Sequence, residues 1–246
     1  MALYLMFTQL SHATALPPAS MRTGFPKSGG RSNSNAWTLT LAGHYADFWT
    51  LTERALDFAF ARVPSVDRRL RPKLLDAYLT LDDPDTRTTL AALRAQGLRL
   101  GILSNGTPHM LAAAVEAAGI AEYLDAVLSV DTLRRYKPLP EVYALATDAF
   151  VMQRSDVGFV SSNRWDVMGA ASFGFQAYWV NRAGMPDEYP DFPPLRRIGD
   201  LAALRLPDSS GLELKSPVAG KPRGTSSAGQ SGMSYASISI SPQLFV

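Results

Sequence analysis

Three short polar segments carry the side chains best suited to chemistry. LSNGTPHM sets Ser104 beside Asn105, a hydroxyl and an amide, and Gly106 allows the next backbone N–H groups to turn toward an anion. The same residues also suit an ordinary turn before a helix. In SVDTLRRYKPLPEVY, Lys137 precedes Pro138, whose ring fixes the approach to the following helix. A lysine there can hold an anion or a carboxylate as a fixed charge, or lie solvated on the surface. Tyr143 follows in the first turns of that helix, where packing alone would account for it. FVSSNRWDVMGA supplies Ser161, Ser162 and Asn163, then Asp166 in a first helical turn, a place where an acid also complements the helix dipole. A Mg²⁺-dependent phosphoryl site needs two or more carboxylates around the cation. This loop has one, with Ser and Asn in the remaining places, and that speaks against a metal.

These segments need elements to hold them. Residues 98–103 form a near-continuous apolar run between Gly97 and Ser104, the pattern of a buried parallel strand. Further strands are expected at 126–130, 157–160 and 176–180, separated by helices at 108–118, 141–150 and 165–173. Strand–helix–strand at this spacing means right-handed crossovers and a parallel sheet. In open sheets of this type ligands bind beyond the carboxyl ends of the strands, and all three polar segments stand there. Upstream, Trp37, Leu41, Tyr45, Phe48, Leu51, Leu56 and Phe60 recur at helical spacing with a break near Gly43. Residues 66–79 repeat the pattern, and Asp82-Asp83-Pro84-Asp85 starts a helix at 86–96.

The 246 residues are 46% hydrophobic and 19% charged, a globular composition. The absence of Cys removes disulfides, thiolate nucleophiles and Cys-bound metals, and three scattered His give no ligand spacing. No apolar run reaches the ~18–20 residues that span a bilayer, and a net charge of +2 argues against nucleic acid. The small net charge hides an asymmetry. All 22 acids lie between Asp47 and Glu213, whereas six of the 24 Lys and Arg lie outside that span. Both flanks are rich in Ser, Gly and Pro. Residues 1–35 are expected to be a disordered or non-native flank rather than a transit-like leader. Residues 213–246 are expected to be a disordered tail, in which SYASISIS alternates like a strand but has no neighbour that calls for one. Cytoplasmic location is the default that follows.

Taken together, LRLGILSNGTP, YKPLPEVY and VGFVSSNRWDVMGA resemble the haloacid dehalogenase superfamily, specifically its type II (L-2-haloacid) dehalogenases. HYADFWTLTERAL is similar to that family's cap, and FGFQAYWVNRAG to its last core strand and loop. The resemblance implies an α/β fold, with a helical cap at 36–85 and a Rossmann-like core at 86–212. It implies hydrolysis of L-2-haloalkanoates to D-2-hydroxyalkanoates and halide, without metal or cofactor. A core Asp would attack C2 and displace halide, and water would then cleave the resulting ester. Position by position, Ser104 would hold the substrate carboxylate and Asn105 would lie near the halide. Lys137 would offset the nucleophile's charge, with Tyr143 bonded in its network. Ser161 and Asn163 would stand behind the nucleophile, and Asp166 would activate water. Phe48 and Trp165 would form apolar walls. The partners implied are a small 2-haloalkanoate or related carboxylate and a second copy, since family members are often dimers; neither nucleic acid nor membrane is expected.

The first motif departs from this pattern. The family's nucleophile ends the first core strand, in Asp-x-Tyr-Gly-Thr-Leu or a close variant, and this sequence holds no such motif and no Asp or Glu before Asp47. The family's halide-binding arginine is missing as well; Arg31 is two residues out of place. The first core strand is therefore missing or replaced, with ALYLMF at 2–7 the one upstream run able to fill its slot. Negligible turnover is expected, most simply from a truncated or misread gene. The alternatives are a phosphatase of the same superfamily and a non-catalytic binder of small carboxylates.

Overall fold

The structure, a computed structural model, describes residues 28–79, 85–204 and 243–245. Its centre is a six-stranded parallel sheet of order β2-β1-β6-β3-β4-β5. The strands are β1 (Leu100–Ser104), β2 (Ala126–Ser129), β3 (Val157–Ser161), β4 (Gln176–Val180), β5 (Arg196–Ile198) and β6 (Gln243–Phe245). Side-chain alternation divides the core into two layers. Leu100, Ile102, Val160, Tyr178 and Val180 face helices α4 (Thr86–Ala95) and α5 (Pro108–Ala118). Leu103, Phe159, Ala177 and Trp179 face α6 (Pro140–Phe150) and α7 (Arg164–Phe173). Both faces of β1, β3 and β4 are covered, so these strands read as apolar runs rather than alternating ones.

Four of these strands and their helices fall within a residue or two of the sequence expectation, because apolar runs and turn residues are local signals. β5 has no such signal; Arg-Arg-Ile lacks a strand pattern, and the segment is held by its pairing to Tyr178–Val180 of β4. The central position holds a replacement strand, as expected, but its source is not the upstream run. β6 pairs with β1 (Leu100↔Leu244, Gly101↔Phe245) and with β3 (Val157↔Gln243, Phe159↔Phe245). The slot expected to be missing or replaced is thus filled from the far end of the chain. The run at 2–7, like the SYASISIS segment, lies outside the described residues.

The cap pairs α1 (Ser28–Leu41) with α2 (Phe48–Arg62), followed by α3 (Arg71–Ala77). The expected break falls at Gly43, whose φ of +74° suits glycine, and Asp47 then caps α2 by accepting from Thr50 N at 2.9 Å. Residues 28–35, placed by sequence in a non-native or disordered flank, are helical. Ser32 and Asn33 are buried, as is Ala36 just beyond, and such small or polar residues leave no apolar period to detect. Arg31 stacks over the Phe58 ring at 3.8 Å, on the cap itself.

Candidate active site

The site is assembled where β1, β2 and β3 end. After β1 the chain turns sharply. Ser104 Oγ accepts from Gly106 N at 3.1 Å, and Ser129 Oγ, at the end of β2, donates to the Gly106 carbonyl at 2.7 Å. Thr107, not Ser104 or Asn105, caps α5. Asn105 is thereby released from a capping role, and its Oδ1 accepts from Lys137 N at 3.1 Å, tying the first crest to the second.

Lys137 is not a solvated lysine. Its ammonium meets Asp166 Oδ2 at 3.1 Å, and both side chains are 1% exposed. Tyr143 Oη donates to Asp166 Oδ1 at 2.8 Å, so its role exceeds packing, although its ring also meets Phe159, Phe173 and Phe175. Asp166 spends its carboxylate on these two donors rather than on the helix terminus; Asn163 occupies the N-cap position of α7 and makes no side-chain cap bond. Burial pushes the Lys137 ammonium below the ordinary lysine range, and the charge and hydrogen bond of Asp166 offset part of that. The Phe159 ring, 4.8 Å from Nζ, supplies a further face to the cation.

At the third crest Ser161 Oγ accepts from Asn163 N at 3.2 Å, and Trp179 Nε1 donates to the Ser162 carbonyl at 3.3 Å. Four polar atoms of the first and third crests are buried without a protein partner: Asn105 Nδ2, Ser162 Oγ, Asn163 Nδ2 and Arg164 Nη1. An unsatisfied buried donor costs about 1–3 kcal/mol, so such groups mark a place where a ligand or water is expected. β1 and β3 flank β6, which sets their crests two strand spacings apart, roughly 10 Å. Phe245, the last described residue of β6, is level with Gly101 and Phe159, below Ser104 and Ser161.

The structure therefore joins Asn105, Lys137, Tyr143 and Asp166 directly, and sets Ser104, Ser161 and Asn163 on the crests around them. Phe48 stands apart from this network. It is buried in the seam between cap and core, with its ring 6.0 Å from that of Tyr136. Trp165 is half-buried and meets Trp37 edge-on at 5.0 Å.

Trp37 is a residue that sequence reasoning missed. From the cap it donates Nε1 to the Lys137 carbonyl at 2.9 Å. A lone aromatic at the start of a helical pattern gave no hint of a contact 100 residues away. A second cap contact was equally hidden. Tyr136 donates to the Ala46 carbonyl at 2.6 Å and stacks on Tyr45, whose hydroxyl meets the Asp131 carboxylate. Burial and that carboxylate both hold the Tyr45 hydroxyl well above the ordinary tyrosine range. Among the described residues no three His or acidic groups gather closely enough to hold a metal ion.

Residues 27–174 match the family model of the haloacid dehalogenase-like hydrolases. The (S)-2-haloacid dehalogenase 1 of Pseudomonas sp. (strain CBS-3) is 46% identical over 171 residues, covering 69% of this chain and 75% of that protein. A crystal structure of an L-2-haloacid dehalogenase aligns with a TM-score of 0.72 at 37% identity, covering 81% of this chain and 88% of that one. The Xanthobacter autotrophicus L-2-haloacid dehalogenase, solved with chloropropionic acid covalently bound, aligns with a TM-score of 0.61 at 32% identity, over 74% of this chain and 87% of that one. A parallel sheet bearing these three polar crests under a helical cap, with sequence similarity running through both, places the chain among the haloacid dehalogenase-like hydrolases, in the group of the 2-haloacid dehalogenases.

Proposed function

We propose that the crests of β1, β2 and β3 form a pocket for a small 2-haloalkanoate, built for hydrolysis of the L enantiomer to the D-2-hydroxyalkanoate and halide. The observation that carries this reading is the buried chain of contacts from Asn105 through Lys137 to Asp166 and Tyr143. A fixed ammonium, with unpartnered amides on Asn105 and Asn163, suits a carboxylate and a departing halide. In this reading Ser104 binds the substrate carboxylate and Asn105 lies by the leaving halide. Trp165 and Phe48 are assigned to bound the alkyl group.

Two bonds change in each half of the reaction. A carboxylate oxygen attacks C2 from the side opposite the halogen, the carbon–halogen bond breaks with inversion, and an ester joins enzyme and substrate. Water then adds to the ester carbonyl, the acyl–oxygen bond breaks, and the hydroxy acid leaves. Asp166, held between Lys137 and Tyr143, is assigned to receive the proton of that water, with Ser161 and Asn163 supporting the ester.

The attacking carboxylate is the part this sequence lacks. No Asp or Glu precedes Asp47, and Asp47 caps a cap-domain helix. Ser104 is no substitute, because an uncharged hydroxyl needs a neighbouring base to attack carbon. The chain as written is therefore assigned the family's pocket without its turnover. Halide released from L-2-chloropropionate, measured by ion chromatography, tests this: no release above the buffer blank is expected, and release of many equivalents per chain overturns it.

A second reading, a non-catalytic binder of small carboxylates, is favoured by the buried unpartnered amides and predicts a raised melting temperature with 2-hydroxypropionate. The same family reading carries a homodimer, checked by light scattering; a cytoplasmic location is proposed only as the default. No helix among the described residues is long and apolar enough to cross a membrane.

A further inference from the structure

Gly169 lies one turn beyond Asp166 on α7 and is buried. Its backbone is ordinary right-handed helix, absent from the positive-φ positions, so conformation does not call for glycine there. Glycine inside a helix instead costs about 0.5–1 kcal/mol relative to alanine. The compensation lies in what the missing side chain admits. A Cβ on Gly169 would overlap Tyr143 Oη and stand 2.6 Å from Pro138 Cβ and 3.1 Å from Tyr143 Cζ. Carbon atoms in contact prefer ~3.5–4.0 Å, so the turn holding Lys137 and the ring of Tyr143 would have to retreat by roughly 1 Å. The contacts at stake are Lys137 Nζ to Asp166 at 3.1 Å and Tyr143 Oη to Asp166 at 2.8 Å. A retreat of that size along either contact carries it past hydrogen-bond length.

We infer that Gly169 is a positioning residue: its bare face sets how closely α7 approaches the Lys137–Pro138 turn and Tyr143, and so seats the ammonium and the phenol on the Asp166 carboxylate. Asp166 and Gly169, three apart, lie on one helix face, so one surface of α7 carries both the charge and the clearance its partners need.

This deepens the site reading of Lys137, Tyr143 and Asp166, but its test needs neither substrate nor turnover, so the two can fail separately. The full chain is labelled with ε-¹³C lysine; it holds five lysines, of which Lys73 and Lys137 are among the described residues. The Lys137 signal is assigned by its loss in Lys137→Met. Gly169→Ala is expected to move that signal and lower its titration midpoint, since Asp166 no longer counters burial. A substitution that merely crowds the core would lower the melting temperature and leave the midpoint in place. Gly169→Ala combined with Tyr143→Phe removes the atom of closest overlap, and this double variant is expected to melt above Gly169→Ala alone. An unchanged Lys137 titration in Gly169→Ala, or a double variant melting no higher than the single, overturns the assignment. If Gly169→Ala does not fold, the double variant decides: its folding supports the assignment, and its failure to fold overturns it.

Discussion

Breaking the Lys137–Asp166 pair from either side should be far more damaging than removing both ends. The two side chains are 1% exposed and 3.1 Å apart, so loss of one leaves the other charged in a place water does not reach. Removing one partner of such a pair costs about 3–5 kcal/mol, whereas replacing both with uncharged groups is often neutral or stabilising. Lys137→Met and Asp166→Asn are each expected to lower the unfolding free energy by about that amount, equivalent to about 6–20 °C in a chain of this size. The variant carrying both substitutions is expected within about 1 kcal/mol of the native chain. The amide that replaces the Asp166 carboxylate still accepts from Tyr143, and the methionine that replaces Lys137 fills the space of the lysine stem. The coupling would then exceed about 3 kcal/mol.

The pH dependence has a definite sign. The folded-state Lys137 sits below the ordinary lysine value of 10.5, mainly through burial. Between its folded and unfolded values the unfolded chain binds more protons, so stability rises with pH across that window. Asp166→Asn removes what opposes burial and extends the window downward. Its deficit is therefore largest near neutral pH and shrinks toward 10.5. Urea unfolding followed by the fluorescence of the four tryptophans, at several pH values, measures all of this. Single variants that each cost under about 1 kcal/mol and add without coupling would refute the buried-pair reasoning.

The remaining expectations concern the elements around the pair. Leu244→Pro removes a backbone donor from the centre of the sheet and should abolish hydrogen-exchange protection at Leu100, Gly101 and Val157–Phe159, which border β6; retained protection there would mean that β6 is not what closes the sheet. Trp37→Phe deletes the hydrogen bond to the Lys137 carbonyl and should cost about 0.5–1.5 kcal/mol in urea unfolding, with the Trp165 emission shifted. Asp47→Ala should cost about 0.5–2 kcal/mol through the lost cap. Partial burial raises the Asp47 carboxyl and the Thr50 hydrogen bonds more than reverse this, leaving it below the ordinary 3.8. Its contribution is thus full above that value and is lost as pH falls through the lower folded value, so native and Asp47→Ala unfolding curves should converge in acid.

Much of the architecture was legible in the residues alone. The strands at β1 to β4 and the helices between them follow from apolar runs, capping residues and turn glycines, all of which act within a few residues. The crest placement of Ser104, Asn105, Lys137 and Asn163 follows in turn, because a parallel sheet presents its loops at one end. The lack of an acid before Asp47 is likewise a property of the sequence itself.

Tertiary structure decided the rest. Whether Lys137 was a surface charge or a buried ion depended on Asp166, 29 residues away, and on Tyr143 completing the carboxylate's partners. Short-range pattern holds no record of burial for a polar side chain, since the energy that buries it comes from groups distant in the chain. The reach of Trp37 to the Lys137 carbonyl is of the same kind. So is the filling of the central slot. Three residues of a Ser-rich tail carry too weak a strand signal to be noticed, yet between β1 and β3 they satisfy backbone groups on two sides at once. Their place is set by the sheet's unpaired hydrogen bonds rather than by their own propensity.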